Sequence, residues 1–119
     1  MTSPDAKTRF KARTRAWAQK LDVEVVSITV RPLTTKWASC SSTGRLTFDT
    51  RVPNLARGLQ DCVIVHELLH FSIPNHGPLW KSLMRAHLGD YEKCEAWLRL
   101  VAGEQALNDT SRRVPPQPS

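Results

Sequence analysis

The stretch CVIVHELLHF, residues 62 to 71, constrains this chain more than any other, because it sets two histidines and a glutamate into an otherwise apolar run. At about 100° per residue, Ile64, Leu68 and Phe71 gather on one side of a helix while His66 and His70 lie together on the opposite side. Val65 and Leu69 fill a flank. A helix that is apolar around most of its circumference has to be surrounded, so the pattern predicts a central helix, from about Leu55 to Phe71, against which the rest of the chain packs.

The same run carries the chemistry. His66-Glu67-Leu68-Leu69-His70 is an HExxH sequence, and a four-residue step brings both imidazoles onto one helical face, one turn apart, where they can meet a tetrahedral zinc ion. Glu67 is rotated by about 100° from His66, so its carboxylate reaches a water on the ion without ligating the ion. A metal lowers the pKa of such a water towards about 7, and the carboxylate can take its proton and pass it on as the water attacks. The pattern therefore points to metal-assisted hydrolysis, with Glu67 as general base.

Zinc needs a third protein ligand. His76 lies six positions after His70, the offset of the HExxHxxGxxH pattern, although Ile73 stands where that pattern has glycine. Pro74-Asn75 is suited to making the turn instead, since asparagine tolerates unusual backbone angles. The alternative is a glutamate from a later helix, Glu92 or Glu95. His87 reads as a packed or surface histidine, and Cys62, one turn before His66, as apolar filler. Cys40 as a nucleophile with a histidine base would leave the HExxH spacing without a purpose. An oxyanion partner is not identifiable, with Tyr91 or a nearby arginine as candidates.

Around the central helix, the pattern predicts a helix from about Pro4 to Lys20 with Phe10, Trp17 and Leu21 as its apolar stripe. The run VEVVSITVRPL, Val23 to Leu33, is rich in β-branched residues and predicts a strand. Shorter strands at about Thr35 to Cys40 and Arg45 to Asp49, joined through Ser41, Ser42, Thr43 and Gly44, predict a hairpin. Pro78 opens a short helix that ends near Gly89, and a last helix starts at Asp90 with Tyr91, Cys94, Leu98 and Val101 as its core stripe. The expected class is α+β, one domain over residues 1–107. Residues 108–119, ending VPPQPS, are expected to form a disordered tail.

Composition narrows the setting. With 119 residues and 40% hydrophobic content, one modest core is what the chain can build. No apolar run approaches the roughly 18 residues of a spanning helix, and no basic-then-apolar leader is present, so a cytoplasmic location is expected. Cys40, Cys62 and Cys94 form no CxxC and cannot all pair, and reduced thiols are expected. Residues 1–20 hold six basic side chains against Asp5, a net of +5, most of the chain's +6. Such a segment is either an ordinary solvated helix face or a footprint for DNA or RNA.

The helix region VIVHELLHFSIPNHGPLW and the upstream stretch RPLTTKWASCSSTGRLTFD together resemble the YgjP-like family of zinc metallopeptidases, relatives of the SprT and WLM proteases, over about residues 24–100. The family's upstream pattern reads Arg-Trp-Gly-Ser-Cys, then serines, a glycine and an asparagine. Lys36, Trp37, Ala38, Ser39 and Cys40 take the first five places, and Asp49 stands close to the asparagine's. The resemblance implies a minimal zincin-like fold, a small three-stranded twisted sheet on the active-site helix with flanking helices. It also implies a zinc site of His66, His70 and His76, a polypeptide substrate, and Trp37 to Cys40 on a strand near the cleft. Trp37 itself reads equally as a core aromatic or a substrate contact. The competing expectation is a nucleic-acid-associated module with structural zinc, or a protease acting on DNA-bound protein.

Overall fold

The computed structural model describes residues 4–33, 36–41, 43–73 and 77–107. Its elements are α1 (Pro4–Leu21), β1 (Ser27–Val30), β2 (Ala38–Cys40), β3 (Arg45–Phe48), a single 3-10 turn (Val52–Asn54), α2 (Arg57–Ser72), α3 (Pro78–Leu88) and α4 (Tyr91–Leu107). The expected α+β class and three-stranded sheet are what the chain forms. The expected tail, 108–119, lies outside the described residues.

The sheet runs in the order β1-β3-β2, with β1 parallel and β2 antiparallel to the central strand. The β2–β3 hairpin turns at Gly44, whose φ of +93° suits glycine and where a Cβ would approach the Val26 side chain to 3.1 Å. The strand expected over residues 23–33 is shorter than its composition suggested. Only Ser27–Val30 pair, because β3 offers a four-residue edge, bounded by the Val26 N–H on the Gly44 carbonyl and the Arg31 N–H on the Phe48 carbonyl. Pro32 then has no N–H to extend the ladder.

The core lies between the sheet and α2. Leu46 and Phe48 of β3, Leu59, Ile64, Val65 and Leu68 of α2, and Met84 of α3 are completely buried, so α2 is enclosed as its composition required. The buried stripe of α1 is Ala6, Phe10, Thr14 and Ala18, one residue per turn. Trp17 and Leu21, expected on that stripe, sit at its margin and only partly buried. Thr14 is tolerated there because its hydroxyl donates to the Phe10 carbonyl at 2.9 Å.

Asp49, just past β3, ties this frame together. Its carboxylate is buried and accepts the Leu33 N–H at 2.8 Å, the Arg51 N–H at 2.9 Å and the Arg51 Nε at 2.6 Å. The Arg51 guanidinium in turn lies over the Trp37 ring at 4.0 Å, and the Trp37 indole N–H donates to the Leu98 carbonyl at 2.7 Å. Trp37 also stacks on Trp97 at 6.4 Å. The structure thus uses the partly buried Trp37 to fasten the entry of β2 to α4.

Candidate metal centre

His66 and His70 occupy the C-terminal half of α2 on the face turned from Ile64 and Leu68, with ring centroids 4.9 Å apart and planes tilted by 59°. Among the described residues, His66, Glu67 and His70 form a cluster whose potential ligand atoms all lie within 4.8 Å of one another. Two imidazoles at that separation, each half-buried, suit a borderline-soft divalent ion, zinc among those that imidazole nitrogen binds. His76, the expected third ligand, lies outside the described residues.

The surroundings orient these side chains. Trp80 of α3 is buried and stands edge-on to His66 at 4.9 Å, with His70 6.4 Å away, so one indole walls both imidazoles. Tyr91 backs that indole at 5.9 Å. The sequence pattern assigned Trp80 no role; that it faces the histidines depends on how α3 crosses α2, which periodicity does not encode.

Glu95 of α4, the alternative third ligand in the sequence, lies at the site. Its carboxylate pairs with Nδ1 of His66, while Glu92 turns outward to Arg85 at 3.0 Å. A carboxylate on the far nitrogen of a ligand histidine fixes the ring's orientation and raises its basicity. Glu95→Ala is accordingly expected to weaken metal binding by about 10- to 100-fold, with Glu95→Gln, which keeps an acceptor, losing less. Competition against a chromogenic chelator reads the difference. Complete loss of binding would instead make Glu95 a direct ligand.

Glu67, within that cluster, also meets β2. Burial pushes its carboxyl up from the ordinary carboxylate range, opposed by the neighbouring His66, by a hydrogen bond from the Cys40 thiol and by Lys36. A carboxylate raised in this way is a better match for proton transfer near neutral pH. The Cys40 thiol is itself pushed up, first by burial and then by the Glu67 charge and the shared hydrogen bond. It is held protonated, as a donor rather than a nucleophile. The Cys40–Glu67 contact spans 27 residues of sequence, and no local signal announced it.

The remaining candidates fall elsewhere. His87 packs edge-on to Trp17 at 5.9 Å. Cys62 is buried, and its thiol is pushed far up by desolvation and then by Glu95, in keeping with apolar filler. All three cysteines are free. No described helix is long and apolar enough to cross a membrane.

β2 is an outer strand that packs on α2. The Asp49 N–H bonds the Trp37 carbonyl and the Ser41 N–H the Arg45 carbonyl, so the hydrogen-bonded pairs fall at Trp37, Ser39 and Ser41. In an antiparallel ladder the residues between them, Ala38 and Cys40, direct their main-chain N–H and C=O to the outer side. That edge borders Glu67.

Comparison with known proteins supplies a context for this arrangement. The family model described as YgjP-like, metallopeptidase domain, matches residues 2–100. Among solved structures, the metallopeptidase zymogen of Methanocaldococcus jannaschii jannalysin is similar at 28% identity with a TM-score of 0.66, over 79% of this chain and 95% of that one. The metallopeptidase zymogen of Pyrococcus abyssi abylysin has the same TM-score at 20% identity, over 81% of this chain and 95% of its own, a likeness of fold. No curated protein matches in sequence.

Proposed function

This chain belongs to the YgjP-like metallopeptidase family, and on that premise we propose that it is a zinc-dependent peptidase in which His66, His70 and His76 hold the ion and Glu67 is the general base. The observation that carries the reading is the His66-Glu67-His70 cluster, with its potential ligand atoms within 4.8 Å of one another. Bound zinc supplies a Lewis acid and an acidified water at neutral pH.

The chain's own groups do the rest. Glu95 holds Nδ1 of His66, which leaves Nε2 for the ion. Trp80 keeps bulk water from one side of the imidazole pair. Glu67 accepts a proton on its carboxylate and returns it to the leaving amine, while the Cys40 thiol orients that carboxylate. An extended polypeptide is favoured as substrate because the outer edge of β2 presents main-chain donors and acceptors at Ala38 and Cys40, as strand addition requires. A deep specificity pocket is not needed for that mode of binding.

Chelation tests the proposal. Treating the purified protein with 1,10-phenanthroline should abolish cleavage of an unstructured protein substrate, and adding back one equivalent of zinc should restore it. Cleavage that persists in a protein shown to be metal-free would refute the assignment.

A further inference from the structure

A groove of about 680 Å³ runs between α1, the 3-10 turn and the start of α2, and its rim carries Arg9, Arg13 and Lys20 from α1 and Arg57 from α2. No aspartate or glutamate is among the residues that line it. Trp17, Pro53 and Leu55 are among its apolar lining. One wall is cross-linked: Arg13 donates to Asp61 at 2.8 Å, the Trp17 indole N–H donates to the same carboxylate oxygen at 2.9 Å, and Lys20 lies over the Trp17 ring at 4.9 Å. Gln60, buried behind it, holds the 3-10 turn through the Pro53 and Leu55 carbonyls.

The basic residues of α1 do not share one face. At about 100° per residue, Arg13 and Lys20 fall within about 40° of Arg9, whereas Lys7, Lys11 and Arg15 lie roughly 160° to 240° round the helix. From Arg9 to Lys20 the cations span about 16 Å of helix, and Arg57 widens that row from a second element. A lone carboxylate would need one such contact; Arg9, Lys20 and Arg57, beside an Arg13 whose charge Asp61 offsets, in a chain with net charge +6, match a ligand that repeats its negative charge along its length. The groove also lies on the side of α2 opposite the histidines, since His66 and His70 are about 140° and 180° round from Asp61.

We propose that this groove binds the phosphodiester backbone of a nucleic acid, independently of the peptidase site and able to be filled at the same time. Arg9, Lys20 and Arg57 contact phosphates, and Arg13, its charge offset by Asp61, braces the wall between them.

The test uses the full chain, short fluorescein-labelled single- and double-stranded DNA, and fluorescence anisotropy across a salt series. Arg9→Gln/Lys20→Gln/Arg57→Gln should weaken binding by about tenfold or more and reduce the slope of log affinity against log salt by about 2 on single strands and about 3 on duplex. Lys7→Gln/Lys11→Gln/Arg15→Gln removes the same charge from the other flank and should leave both nearly unchanged. Circular dichroism and zinc content verify that each variant is folded. Equal weakening by the two triples would overturn the proposal in favour of unspecific attraction. So would the absence of DNA binding by the parent chain, or binding of polyglutamate or anionic vesicles as tightly as DNA.

Discussion

Glu67→Gln removes peptide hydrolysis, lowering kcat/KM by about 10²- to 10⁴-fold, while zinc stays bound and the fold is unchanged. The substitution is close to isosteric, keeps a hydrogen-bond acceptor for the Cys40 thiol, and withdraws only the capacity to take a proton. His66, His70 and Glu95 are untouched by it, so metal content separates a lost base from a lost site. Parallel measurements of zinc stoichiometry, thermal stability and kcat/KM check the outcome. A variant that is folded, zinc-loaded and fully active would remove Glu67 from the mechanism.

The largest structural effect is expected at Phe48. It is completely buried on the central strand and meets Phe10 of α1 edge-on at 4.8 Å, so it joins sheet and first helix in one contact. Phe48→Ala leaves a cavity in which neither strand neighbour can collapse, because β3 is paired on both sides. The expected cost is about 3–5 kcal/mol. Set against the roughly 5–15 kcal/mol by which such domains are stable, that is a large share, and the midpoint of thermal unfolding should fall by more than about 10 °C. A shift of a degree or two would mean that the sheet and α1 do not depend on this ring.

The parts of the fold and site that were legible in the sequence are those specified within a few residues. The enclosed helix followed from apolar positions on nearly every face around His66 and His70, and α3 from Pro78 at its first turn and Gly89, with φ of 71°, just after its end. What was not legible depends on distant partners. A β-branched run cannot show that its strand stops when a four-residue neighbour runs out. Trp80, Cys40 and Glu95 approach the histidines only because α3, β2 and α4 cross α2 where they do, and Arg57 joins the α1 cations only across a tertiary groove. Asp49 was visible as a departure from a family pattern. Its part, accepting three hydrogen bonds that fasten β3 to the loops on either side, needed the fold.

The central claim is that α2 presents two imidazoles to a single zinc ion. Anomalous diffraction at the zinc edge from crystals of the purified protein tests it most directly: the account predicts one peak at about 2.0–2.1 Å from a ring nitrogen of His66 and of His70, with Glu67 close by but not coordinating. A peak held by other side chains, or none in protein grown and purified with zinc present, would contradict it.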